Sequence, residues 1–234
     1  MTSLAAALDA QPAEWFAREL RGLAQSVLSL VPGGFDAYVR VFHPARLRSG
    51  QAVTWTEIAT ANRREAHAGM QLNALTGIDS IYEPQPGVFD IPPAVGCLEA
   101  DLARALASVL RPYTTTADRC YFAVWHGFAG LRDDICSAPT FAAPGRVYHL
   151  LTGPLEAASE NVEEPPSRRS PNLWWPEDRA WCVATEIDLN STYVGCSNAC
   201  RADLLALDAE AFEIDRTAGI SNRSDLRNAE PRPT

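Results

Sequence analysis

Apolar side chains recur at steps of three and four from Phe16 through Leu20, Leu23, Val27 and Leu30, with Pro12 before the run and Val31-Pro32-Gly33-Gly34 after it. That period predicts one amphipathic helix. From Phe35 to His43 the step changes to two, with Phe35, Ala37, Val39, Val41 and His43 on one side and Asp36, Tyr38, Arg40 and Phe42 on the other. The alternation predicts a strand, stopped by Pro44. Thr54 to His67, rich in Glu, Ala and Arg, reads as helix, whereas Gly77 to Pro93 contains Pro84, Pro86, Pro92 and Pro93 and reads as irregular chain. Leu98, Leu102, Ala105, Leu106, Val109 and Leu110 outline a second amphipathic helix ended by Pro112.

Cys120 to Trp125 and Arg146 to Leu151 are short β-prone runs expected to pair in a sheet. Trp181 to Asp188 alternates again, Tyr193-Val194 continues or pairs with it, and Ser197 to Leu207 looks helical. Leu155 to Pro171 is rich in Glu, Ser and Pro without an apolar period, which predicts a mobile loop over about 156–171. The polar residues after Asp208 predict a poorly ordered tail over 208–234. Helices and strands interleave without a doubly wound rhythm, so the expectation is one α+β domain over 1–207, its mixed or antiparallel sheet flanked by amphipathic helices.

Composition narrows the chemistry. All 20 basic residues of the 234 are arginine. Without lysine there is no Walker-type phosphate loop, kinase-type lysine or Schiff base. A formal charge of −9 with scattered arginines counts against nucleic-acid binding. No apolar run approaches the roughly 20 residues that span a bilayer, so no membrane is expected. The first ten residues lack the pattern of a secretory signal, which makes the cytoplasm the expected address. Six cysteines without a C-x-x-C pair read as reduced thiols.

The densest candidate chemistry runs from Ser170 to Asp188, with Trp174, Trp175 and Trp181 beside Asp178 and Arg179. Flat apolar rings with a few polar groups suit a ligand pocket, and the same residues suit the edge of a core with a local Asp178–Arg179 pair. Trp125 and His126 end a strand and join the candidate rim, as does His43. If 181–188 is a strand, Cys182, Ala184, Glu186 and Asp188 share a face and the two acidic Cα atoms lie about 6.5 Å apart. Such carboxylates can divide acid and base roles or hold a divalent cation, or simply be solvated. Ser197 in Gly195-Cys196-Ser197-Asn198-Ala199 resembles a nucleophile elbow, but every histidine precedes it, and a helix N-cap explains it equally. Cys182, Cys196 and Cys200 supply half a zinc set, or are buried small hydrophobes; a thiol nucleophile paired with His126 or His149 is the third reading.

The segments Val31 to Pro44, Phe122 to Gly127 and Ser170 to Gly195 resemble an uncharacterised family of actinobacterial proteins, a likeness that covers most of residues 31–205. Tyr113 and Cys196 stand where members often have histidine and glycine. The resemblance implies a bacterial cytosolic setting and names no reaction. The expectation is therefore an accessory protein, without a cofactor or metal, that binds a small molecule or a protein partner at a surface formed by Trp125, His126, Trp174, Trp175, Asp178, Arg179, Trp181, Glu186 and Asp188. The competing expectation is a hydrolase in which Glu186 and Asp188 hold a metal or act as acid and base with His126 nearby.

Overall fold

The structure is a computed structural model that describes residues 3–20 and 25–229. In chain order it contains β1 (Ala5–Ala6), α1 (Glu14–Glu19), β2 (Ala37–Phe42), β3 (Ala45–Arg46), β4 (Ala52–Val53), α2 (Trp55–Ala61), α3 (Leu72–Thr76) and α4 (Ala100–Leu110). There follow β5 (Cys120–Trp125), α5 (Asp133–Cys136), β6 (Thr140–Ala143), β7 (Arg146–Gly153), β8 (Leu173–Pro176), β9 (Cys182–Thr185), β10 (Ser191–Cys196), α6 (Asn198–Leu205) and β11 (Ala211–Glu213). Helix accounts for 25% and strand for 24%, an α+β fold.

The main sheet runs β1-β7-β5-β8-β9-β10-β2-β11, with β6 also on β7. Every strand pairing among the described residues is antiparallel, and the expected partners β5 and β7 do pair, Trp125 opposite Tyr148 and Cys120 opposite Gly153. Both faces of the sheet are covered, so its central strands are apolar on both sides. On one face Val39, Val41, Phe122, Val124, Val183 and Val194 pack beneath α4 and α6. On the other, Tyr38, Ala123, Leu150, Leu173, Ala184 and Tyr193 meet α1 and the chain around Val27. A third cluster of Phe42, Trp55, Ile58, Met70, Leu75 and Phe89 surrounds α2 and α3. Thr54 caps α2 and forms a reciprocal box with Glu57, and this helix is shorter than expected because it ends at Ala61.

The helix expected from Phe16 to Leu30 is not one element. Helix α1 stops at Glu19, Leu20 turns extended (φ −65°, ψ 138°), and Val27–Ser29 is a separate 3-10 turn; Leu23 lies outside the described residues. The amides of Val27 and Leu28 donate to the carbonyls of Ala218 and Arg216 rather than back along a helix. The chain expected as a poorly ordered tail is the partner: β11 pairs with β2, and Ile214, Ile220, Asp225 and Asn228 are buried. Within 156–171, expected as a mobile loop, Leu155–Ser159 forms a 3-10 turn whose Leu155, Ala157 and Ala158 are buried in the core under α4. The Glu163 carboxylate in that stretch is held by Arg169 at 2.7 Å.

Candidate functional site

Adjacent residues of a strand point to opposite faces, and this rule separates the tryptophans. Trp174 joins the first core and meets Trp181 edge-on at 5.5 Å, while Trp175 joins the second core and stacks on Phe16 at 5.5 Å. All three are at most 1% exposed. The expectation that Trp174, Trp175 and Trp181 share an exposed surface is therefore corrected: they are core residues on two sides of one sheet. The Trp181 indole N–H is satisfied by the Leu110 carbonyl at 3.1 Å.

Asp178 and Arg179 lie at the tip of the β8–β9 hairpin and do not form an ion pair. The Asp178 carboxylate accepts from the Thr114 hydroxyl at 2.8 Å and from the Thr115 amide and hydroxyl at 2.8 and 2.9 Å. Burial pushes its pKa up, but these bonds and that from the Ala180 amide outweigh it and leave the carboxyl below its ordinary value. Asp178 thus anchors the turn. Arg179 closes it by donating its amide to the Pro176 carbonyl, and its guanidinium lies over the Trp15 ring, 5.2 Å from the centroid.

Glu186 and Asp188 do converge, but on a cation. One Arg146 Nη2 lies 2.9 Å from a carboxylate oxygen of each, and the same guanidinium stands over Trp125 at 5.8 Å. Glu186 also accepts the Asp188 amide at 2.6 Å. One guanidinium therefore bridges both carboxylates, and a metal or substrate at this pair would compete with arginine. Among the described residues no group of three or more His, Cys, Asp or Glu side chains is placed to hold a metal.

His126 hydrogen-bonds His149 rather than the acidic pair. The Ala138 carbonyl, 3.3 Å from His149 Nδ1, can only accept, so that nitrogen carries the proton; His149 Nε2 then accepts from His126 Nδ1 at 2.9 Å. His149 is buried, and desolvation lowers its pKa. His43, expected at a rim, is 1% exposed and bonded to Ala94 and Thr192. Ser197 is the N-cap of α6, accepting the Cys200 amide at 3.2 Å. Cys182, Cys196 and Cys200 are buried; burial pushes the Cys182 thiol up, and a hydrogen bond with Cys196 raises Cys200 further, the opposite of what a nucleophile requires.

A cleft with both apolar and charged lining lies elsewhere. A cavity of about 630 Å³ opens between β2, the start of α4 and the chain that leads into β11. Its apolar lining includes Phe42, Pro44, Leu102, Ala105 and Leu207. Four carboxylates, Glu99, Asp101, Asp208 and Glu210, border it against one guanidinium, Arg46. Arg46 is paired with Glu99, and Glu210 receives the amides of Trp55 and Thr56 at the start of α2. The sequence marks Phe42, Pro44, Leu102 and Ala105 only as parts of a strand and a helix and none of the lining as a site, because the cleft draws on four separated segments. Comparison of the chain with models of protein families, with curated proteins and with solved structures finds no match.

Proposed function

We propose that the protein binds a small organic cation with an apolar body in the 630 Å³ cleft between β2 and α4. The observation that carries this reading is the pairing of an apolar floor with a rim of four carboxylates and one arginine. A volume of this size suits a small molecule, and apolar area supplies affinity while a few charged groups set orientation. Phe42 and Leu102 would receive the hydrocarbon. Asp208, which is exposed and has no ion pair among the described residues, would face the ammonium, with Asp101, paired to exposed Arg104, beside it. Glu99 and Glu210 are held by Arg46 and by the α2 amides, so they contribute a fixed field rather than a mobile contact.

Thermal unfolding with hexylammonium or hexanoate tests the idea, because the two share an apolar body and differ in charge. Hexylammonium is expected to raise the melting temperature in a dose-dependent way and hexanoate to leave it unchanged. Ala105→Trp, which fills the cleft from a half-buried position of α4, should abolish the shift. Equal shifts from both compounds, or none from either, would remove the proposal.

A further inference from the structure

The β8–β9 hairpin keeps a second feature that the cleft does not use. Arg179 occupies a positive φ of 56° at the turn closed by its own amide on Pro176. Glycine adopts that conformation freely in a hairpin of this kind, whereas arginine is strained there. The turn, fixed by Asp178, sets the Arg179 guanidinium against Trp15. Arg18, on the same helix as Trp15, borders the same place. Two cavities meet along Trp15, Arg18 and Arg179, one of about 300 Å³ that reaches Tyr121 and one of about 580 Å³ that reaches Phe35. Among the described residues no carboxylate pairs with either arginine. Trp15 is 8% exposed, and its buried indole N–H finds no acceptor among the described residues.

We infer that this notch binds a planar aromatic monocarboxylate. A guanidinium lying over an indole at 5.2 Å still has N–H donors to offer, and a carboxylate can accept two of them as a bidentate pair. Arg18 supplies the second cation, and Trp15 with Tyr121 supplies aromatic wall for the ring of the ligand. Glu14, Glu19 and Asp36 also border the cavities, while Glu177 is taken by Arg119 at 2.6 Å. Their charges repel a multiply charged anion, which selects a single carboxylate over phosphate. The site is separate in residues and opposite in charge preference from the β2–α4 cleft.

Isothermal titration with 2-naphthoate, 2-naphthamide and inorganic phosphate tests the inference on the full chain. Naphthoate is expected to bind, the amide to bind at least tenfold more weakly, and phosphate not to compete. Arg179→Gly separates recognition from folding. Glycine relieves the backbone at that position, so the melting temperature should hold or rise while naphthoate affinity falls at least tenfold. Arg18→Gln, on an exposed helix surface, should weaken naphthoate several-fold with no change in melting temperature. No binding of naphthoate, equal binding of acid and amide, competition by phosphate, or undiminished affinity in Arg179→Gly would each overturn it.

Discussion

Gly96 shows how one residue without a side chain joins distant segments. Its φ is +66°, its amide donates to the Leu189 carbonyl at 2.8 Å, and a Cβ there would sit 2.3 Å from the Ile187 carbonyl oxygen. Gly96→Ala combines left-handed strain with a backbone clash and should cost about 2–4 kcal/mol, read as a lower urea midpoint. Gly34, with φ +96° and open space where its Cβ would be, should cost only the conformational part, about 1–2 kcal/mol, in the same measurement. Equal losses at the two positions would discount the clash. The Ile187 turn also carries the acidic pair, and there exposure decides which member matters. The Glu186 side chain is 8% exposed and that of Asp188 72%. Arg146→Met, which strands the buried carboxylate, is expected to cost about 1–3 kcal/mol. Asp188→Asn removes a pair open to solvent and should stay within about 0.5 kcal/mol. Urea midpoints of both variants check the contrast, and a large loss from Asp188→Asn would contradict it.

The last segment of the chain behaves as an element of the fold even where it has no regular structure. Asn228 bonds the Glu65 backbone in both directions, amide to Oδ1 and Nδ2 to carbonyl, each at 3.0 Å. Asp225 accepts from His67 Nε2 at 3.0 Å and from the Gln71 amide at 3.1 Å, fixing the loop before α3. Because β11 also covers one side of β2 and Phe212 meets Phe42 edge-on, truncation after Leu207 should expose Phe42 to solvent and lower the urea midpoint. Limited proteolysis would then cut the 62–71 loop first; a truncated chain as resistant as the full one would refute this. The alternation of Cys120–Trp125, the strand before Pro44 and the stripe of α4 were legible in the sequence because a local period reports a local element. The tail was not, since its few apolar residues are spaced irregularly and its polar ones bond to backbone far away in sequence. The Phe16–Leu30 period failed for the same reason: a helical spacing was overridden by amides committed to residues 216 and 218.

At the level of the whole molecule, the two-sided sheet explains why a charged position in the alternation can be buried. Arg40 lies on the side of β2 away from the valines, yet it is 1% exposed, donating to Ser191 and to the carbonyls of Ala68 and Met70 and lying 4.2 Å from the Phe42 ring centroid. The tryptophan cluster misled because nearness in sequence is divided by the sheet. The Trp15–Arg179 contact brings together residues more than 160 positions apart, which no local pattern encodes.

Burying histidine in such a sheet also sets how stability depends on pH. His43 sits between Ala94 and Thr192 with its Nδ1 proton on the carbonyl, so Nε2 must accept the Thr192 hydroxyl, which in turn accepts from Thr185. Burial lowers its pKa to about 4 against the backbone bond that raises it. The unfolded chain takes up this proton near pH 6.5 and the folded one only near 4, so between those values the unfolded state binds more protons and acid favours unfolding. His149, lowered by desolvation, adds in the same direction. The carboxylates held below their ordinary values, Glu57, Asp134, Glu156, Asp178 and Asp215, lose their contribution only as pH falls below about 4.5, which leaves most of the window above to histidine. From pH 6.5 down to 4 the His43 proton alone should remove about 3 kcal/mol, on the order of its pKa displacement. His43→Gln, which can still donate to Ala94 and accept from Thr192 but does not titrate, should begin less stable and show a shallower fall. Urea midpoints of the two proteins across that window decide the matter: parallel curves would mean that His43 is not the group that titrates.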